Sequence, residues 1–229
     1  MPPQPNFDRI ARPYRLLEYL TLGRALERCR FHFLPHLRTL APTRILALGD
    51  GDGRFLARLL QQNPQAQADA VDTSATMLSL LTARCQTTGI ASNRLETHQT
   101  SALAFTQSTP AAPYDLIVTH FFLDCLTQPE LNQLATQLRP VLTPGALWLL
   151  SDFRIPTGPA ALLAKLLVRT LYLAFRTLTG LRTSTLPDHE TTLTQAGFTR
   201  LNQHLSLAGI LTTELWSAPA PASAVTHPR

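Results

Sequence analysis

Residues 45–55 read Ile45-Leu46-Ala47-Leu48-Gly49-Asp50-Gly51-Asp52-Gly53-Arg54-Phe55. A short apolar run enters a turn with glycine at 49, 51 and 53. FLARLLQQ (55–62) then leaves the turn with the 3.6-residue periodicity of a helix. Glycines so placed fit a backbone that takes positive φ or comes close to a ligand, where a Cβ would collide. A strand feeding such a turn and then a helix is half of the signature of a nucleoside-type cofactor. The other half is an acidic residue about 20 residues on, at the end of the next strand, to hold ribose hydroxyls. Asp72 stands there, closing QADAVD (67–72). A tight turn without a ligand would explain the glycines but not Asp72.

The spacing narrows the cofactor. A dinucleotide fingerprint is G-x-G-x-x-G, whose third glycine packs the helix beneath a pyrophosphate. Here Arg54 holds that place and the spacing is G-x-G-x-G. Asp50 and Asp52 would also repel a pyrophosphate. The turn suits a cofactor with adenosine and a short zwitterionic tail. D-G-D-G also opens an EF-hand calcium loop, but the sixth position would be Phe55 instead of glycine, which rules that reading out.

Outward from the turn, strand and helix alternate. SATMLSLLTARCQTTG (74–89) is helical and stops at Gly89, RLETHQ (94–99) is a weaker strand, and YDLIVTHF (114–121) is the clearest strand. PELNQLATQLRPVL (129–142) is helical and GALWLLSDF (145–153) is a fifth strand. Such alternation predicts right-handed βαβ units and a mostly parallel sheet covered on both faces. A long helix over 158–180 and a short one near 187–196 follow. FTRLNQHLSL and GILTTELW meet so tightly at Ala208-Gly209 that they predict a hairpin. Before the turn, residues 7–40 read as helical, interrupted at Pro13 and Gly23. The expected division is a helical cap over 1–40, a cofactor-binding domain over 41–217 and a disordered tail over 218–229.

Composition agrees with one α/β domain. The chain has 229 residues, enough for one large core and cramped for two. Its formal charge of +5 comes almost wholly from arginine, since Lys165 is the only lysine, and no basic run interleaved with aromatics marks a nucleic-acid patch. Cys29, Cys85 and Cys125 are too few and scattered for a disulfide framework. Cys29, His32 and His36 have metal-like spacing but lie in an apolar helical stretch without a fourth ligand, so packing is the expectation and no metal is assigned. MPPQPNFDRI lacks the features of a secretion signal, and no stretch reaches about 18 consecutive apolar residues. These features point to a cytoplasmic protein.

With those residues the chain resembles the class I S-adenosylmethionine-dependent methyltransferases over residues 7–217. The resemblance implies a Rossmann-like α/β fold: a seven-stranded, mostly parallel sheet closed by an antiparallel C-terminal hairpin, with an N-terminal helical cap. It implies S-adenosylmethionine as cofactor. Gly49, Gly51 and Gly53 would curl around the methionine end, with Asp50 in the turn, and Asp72 would bind both ribose hydroxyls. VDTSATML (71–78) looks like the family's D-x-S-x-x-M-L run, which puts Thr73 and Met77 near the adenine. FDRIARPY near the start, and LPDHETTLTQAGF with LAGILTTELW near the end, are similar to the ubiquinone/menaquinone C-methyltransferase branch.

The sequence departs from the family in three places. Ala47 replaces an acidic residue two before the first glycine, and Asp50 or Asp52 could compensate. Gln99, with Thr100 beside it, stands where an Asp often binds the adenine amine, and its carbonyl oxygen can still accept a hydrogen bond. Tyr14-Arg15 replaces the Tyr-Asp of the quinone branch. Ala47 and Gln99 also fit a different class, a degenerate methyltransferase-fold binding protein acting as a non-catalytic partner subunit.

Ligands of open α/β sheets bind outside the carboxyl ends of the strands, which puts Gly49, Asp72, Gln99, His120 and Asp152 on one rim. An acceptor with an acidic proton needs a base. His120 is the first candidate, though its position also suits a residue lining the cofactor pocket, and Asp124 is the second. Asp152, Arg154 and His189 are placed to reach the acceptor side, though a solvated surface place is the first expectation for each. The expected reaction is C- or O-methylation of a small, apolar, quinone- or phenol-like acceptor. On the 158–180 helix, Lys165, Arg169 and Arg176 form a stripe opposite a broad leucine face. That pattern suits a lid over an apolar acceptor or peripheral contact with a membrane surface. Packing of the leucines on the sheet, with the charges in water, is the first expectation.

Overall fold

The computed structural model describes residues 23–107, 112–158, 160–179 and 185–219. Residues 7–22 of the expected cap, with Tyr14-Arg15, and the last ten of the expected tail lie outside the described residues.

Seven strands form one sheet: β1 (Arg44–Leu48), β2 (Gln67–Asp72), β3 (Leu95–Gln99), β4 (Tyr114–His120), β5 (Leu142–Phe153), β6 (Thr199–Ser206) and β7 (Leu211–Ser217), in the order β3-β2-β1-β4-β5-β7-β6. β1 to β5 pair in parallel, while β7 runs antiparallel to both β5 and β6. The hairpin is as expected, but β7 inserts between β5 and β6, an order that the hairpin signal alone does not fix. The pairing also runs past the expected end of the domain: Ala218 is buried and its N–H donates to Ala146 O at 2.7 Å.

Alternation along β1 divides the core. Ile45 and Ala47 face a layer made by α2 (Leu34–Leu40), α3 (Arg54–Gln62) and α4 (Ala75–Thr87). Leu46 and Leu48 face the layer of α5 (Ala102–Phe105), α6 (Gln128–Leu138) and α8 (His189–Gln195). The helix termini are those the sequence signals. Ser74 caps α4 by accepting from Met77 N–H at 3.2 Å, and at its far end Gly89 takes φ +78 while Ile90 N–H closes on Cys85 O at 2.9 Å. Thr127 and Glu130 cap α6.

Within residues 23–40 the chain breaks after α1 (Gly23–Phe31), at His32-Phe33, and α2 begins there with Pro35 in its first turn. α1 lies against the β5–β7 part of the sheet, where Leu26 and Cys29 pack with Phe153 and Leu211. The Cys29 thiol donates to Thr212 O at 3.3 Å, His32 stacks on His204 with ring centroids 3.7 Å apart, and His36 is exposed, so the three residues take separate roles. α7 (Ala160–Thr179) packs through Val168 at the sheet end where β5 finishes and β7 begins, beside Phe153 and Leu211. Burial differs here from the expectation. Ala164 and Val168 are buried, while Leu162, Leu163 and Leu166 face outward.

Candidate cofactor and acceptor site

The strand order reverses at β1, whose neighbours are β2 and β4, and ligands of open α/β sheets bind in the crevice outside such a point. The glycine turn leaves β1 at that crevice. Gly49, Gly51 and Gly53 have φ of +66, +61 and +75, a region that L side chains avoid. Their surroundings differ. A Cβ at Gly49 would strike the Phe122 ring, and one at Gly53 would lie 2.6 Å from Leu81 Cγ and 2.9 Å from Leu81 Cα. A Cβ at Gly51 would meet nothing within 4 Å. Close packing of protein on protein thus accounts for two of the glycines, and only Gly51 borders open space.

The two aspartates of the turn also separate. Asp52 accepts from Arg54 Nε at 3.0 Å and from Arg84 at 2.9 Å, so it latches α3 and α4 together. Asp50 caps α3 by accepting from Leu56 N–H at 3.1 Å through Oδ2. Its Oδ1 is buried without a hydrogen-bond partner among the described residues. Burial lifts the Asp50 pKa to about 7, against the pull of the Arg30 guanidinium. Of the two candidates to replace the carboxylate missing at Ala47, Asp50 is therefore the one with an oxygen to offer.

Arg30, near the end of α1, is buried, lies 5.5 Å from the Phe121 ring centroid, and acts electrostatically on both Asp50 and His120. Sequence reasoning missed it. The signal was an arginine four residues after Leu26, on the face of α1 that Leu26 and Cys29 bury.

On the adenosine side, Asp72 ends β2 half-buried and accepts from Ser74 N–H at 2.8 Å, and its carbonyl accepts from Thr100 N–H at 3.1 Å. Gln99 is its register partner on β3 and is exposed; Thr73 is half-buried and Met77 buried. The ends of β1, β2 and β3 thus bring together the turn, Asp72, Thr73, Met77, Gln99 and Thr100.

His120 ends β4. Its ring is buried edge-on to Phe55 with centroids 4.4 Å apart, and neither nitrogen has a hydrogen-bond partner among the described residues. Burial, helped by Arg30, holds its pKa well below the ordinary imidazole value, so the ring is neutral near pH 7. The chain then turns sharply: Phe121 has φ +53, held by its N–H donating to Ser151 O at 2.7 Å and by the Phe153 ring. A strained non-glycine residue at a strand end is the kind of backbone that clusters at functional sites.

Past that turn, Asp124 and Asp152 are both buried. Asp152 accepts from Asp124 N–H at 3.1 Å and from Phe153 N–H at 2.7 Å, and the Cys125 thiol lies 3.6 Å from Asp124 Oδ1. Burial raises both carboxyls, and the nearby Asp124 raises Asp152 further. Asp124 rises to about 6 and Asp152 well above its usual value. Of the two carboxyls, Asp124 is the more readily ionised.

His189 is committed elsewhere, its Nε2 3.3 Å from Glu214 Oε1. Glu214 also accepts from Gln203, Thr212 and Trp216. Asp69, Glu96 and His98 lie close enough to one another for a cation, yet the two Asp69 oxygens already take Arg44 at 2.9 Å, Tyr114 Oη at 2.7 Å and His98 at 3.0 Å.

Residues 45–145 match the model of a family described as a methyltransferase domain, a span that holds the turn, Asp72, Gln99, His120 and Asp124. No curated protein sequence matches the chain. Among solved structures, the chain is similar to an O-methyltransferase candidate from Nostoc punctiforme PCC 73102 (TM-score 0.68, 19% identity, 90% of this chain and 60% of that one). It is similar to the S-adenosylmethionine-dependent methyltransferase SibL in its apo form (0.66, 19%, 96% and 63%). A third is the N-methyltransferase NodS from Bradyrhizobium japonicum WM9 in complex with S-adenosyl-L-homocysteine (0.59, 19%, 85% and 88%). The chain spans about three fifths of the length of the first two. It has the fold of the S-adenosylmethionine-dependent methyltransferases.

Proposed function

We propose that this chain is an S-adenosylmethionine-dependent methyltransferase acting on a small, apolar, phenol- or quinone-like acceptor, with transfer to oxygen preferred over carbon. One observation carries the reading: polar atoms buried without partners among the described residues, Asp50 Oδ1 next to Gly51 and both His120 nitrogens at the end of β4, lie at the ends of the two neighbouring strands β1 and β4, where the strand order reverses. Buried polar atoms are seldom left unpaired, and a bound ligand or an ordered water is the usual partner. Asp50 and the neighbouring Arg30 offer opposite charges to the ammonium and carboxylate of a methionine tail, and Asp72 offers its carboxylate to the ribose. The match over residues 45–145 and the SibL and NodS folds support the same cofactor. The group supplies a methyl carbon made electrophilic by its sulfonium.

Asp124 would take the proton of the acceptor hydroxyl, and Asp152, which accepts from the Asp124 N–H at 3.1 Å, would hold that stretch of backbone in place. His120 stays neutral and lines the pocket as a hydrogen-bond partner. The wall next to the pair, Phe121 and Phe153, is apolar, which supports an aromatic acceptor. The O-methyltransferases among the similar structures, such as mitomycin 7-O-methyltransferase MmcR, favour oxygen.

Calorimetric titration with S-adenosylmethionine and S-adenosylhomocysteine tests the cofactor. The expected result is micromolar binding, about −8 kcal/mol, lost in Asp72→Ala and weakened in Asp50→Asn. Absence of binding to both ligands by a folded protein would overturn the enzyme reading and leave the non-catalytic partner subunit.

A further inference from the structure

We propose that α7 docks the protein on an anionic lipid surface, with Leu162, Leu163 and Leu166 in the interface and Lys165 and Arg169 on headgroup phosphates. This inference stands apart from methyl transfer. The three leucines are 78%, 63% and 63% exposed, far more than a helix packed on a sheet leaves to its leucines. At about 100° per residue they share one arc of the helix. Lys165 and Arg169 flank that arc on one side, while Ala164 and Val168 face the protein. The cations adjoin the apolar stripe, where side chains can snorkel to phosphates from leucines seated just below them. Among the described residues, neither cation forms a salt bridge.

Two further apolar residues stand exposed off the helix. Ile155, in the segment leading to α7, and Leu207, in the β6–β7 turn, are 38% and 40% exposed. Arg154 N–H donates to Ile210 O at 2.7 Å, so the two segments are tied together at the sheet end where Val168 packs.

Charge selects the occupant. From residue 153 to residue 187 the sequence contains four arginines and Lys165 and no aspartate or glutamate. A second copy meeting α7 about a two-fold axis would set Lys165 and Arg169 against their own counterparts, and the helix itself contributes no carboxylate to answer them. An anionic bilayer supplies both an apolar layer for the leucines and negative charge for the cations. No helix of the described residues is long and apolar enough to cross a membrane, so the geometry is that of a helix lying in the interface.

Sedimentation of the full chain with phosphatidylcholine vesicles, with and without phosphatidylglycerol, tests this. The wild type is expected to sediment with the anionic vesicles, weakly with the neutral ones, and less as salt rises. Leu162→Ser/Leu166→Ser and Lys165→Glu/Arg169→Glu should each lower the anionic partition about tenfold or more and leave the melting temperature unchanged. Equal partition of the wild type and both variants, or no sedimentation of the wild type, would overturn the proposal. So would a wild-type dimer in light scattering that the leucine variant turns into a monomer, which would assign the face to a second copy. A large fall in melting temperature in the leucine variant would also overturn it, by showing the leucines packed.

Discussion

Replacing Gly53 by alanine places a methyl group 2.6 Å from Leu81 Cγ and 2.9 Å from Leu81 Cα, at a residue with φ +75 and ψ 19. The left-handed backbone costs an alanine about 1 kcal/mol. The Leu81 side chain can rotate away, but its Cα belongs to α4, which Asp52 and Arg84 tie to the turn. Overpacking of that kind adds about 1–3 kcal/mol, for a total of about 2–4 kcal/mol. In a chain of 229 residues each kcal/mol moves Tm by about 2–4 °C, so Gly53→Ala should lower Tm by about 5–15 °C. Gly51→Ala has nearly the same φ, +61, and no neighbour within 4 Å. It should cost about 1 kcal/mol and about 2–4 °C. Its effect should appear instead in titration with S-adenosylhomocysteine, where the added methyl intrudes on the ligand and weakens binding about tenfold or more. Scanning calorimetry and isothermal titration of the two variants measure both quantities. Equal falls in Tm would refute the distinction between packing and ligand glycines. Wild-type affinity in Gly51→Ala would refute the assignment of the open space to the cofactor.

Two further predictions concern buried carboxyls. With Asp124 as base, kcat against pH should rise through about 6 to a plateau; Asp124→Asn should lower the plateau by about 100-fold and remove that limb. Asp152→Asn, which keeps the side-chain shape, should leave the limb in place, because the raised Asp152 is already uncharged where Asp124 titrates; a limb that persists in Asp124→Asn would exclude Asp124 as the base. For Glu214, burial alone would raise the pKa, but His189, Thr212 and Trp216 outweigh it and bring it to about 2 from the ordinary 4.5. A folded-state pKa below the unfolded one gives stability that is present above about pH 4.5 and lost as the pH falls toward 2, on the order of 3 kcal/mol. Urea melts between pH 5 and 2 should show Glu214→Gln with a shallower acid decline than wild type, and parallel declines would refute that role.

The sheet was legible because its signals are local. A buried strand, a glycine turn and an acid closing the next strand each sit within about ten residues, and the βαβ rule carries them to three dimensions. The candidate cofactor residues were legible for the same reason, since they stand where strands end. Arg30 was not, because its place beside Asp50 is set by how α1 lies against the β5–β7 part of the sheet, and nothing local announces that. The division of labour between Asp50 and Asp52 escaped likewise: Arg84, the partner that occupies Asp52, is 32 residues away along the chain. The leucines of α7 misled because periodicity reports that a helix has an apolar face but is silent on whether that face meets a protein.

The insertion of β7 between β5 and β6 bears on the order in which the molecule is made. Residues 211–218 leave the ribosome after every other strand, yet they occupy an interior place in the sheet. Until they emerge, β5 presents an unpaired edge, β6 has no neighbour, and Gln203 and His189 lack the carboxylate of Glu214 that collects them. Long-range pairing of this kind is slow and leaves strand edges open to other chains meanwhile. A chain cut between the β6–β7 turn and Ala218 should therefore aggregate, and a C-terminal tag belongs beyond Ala218.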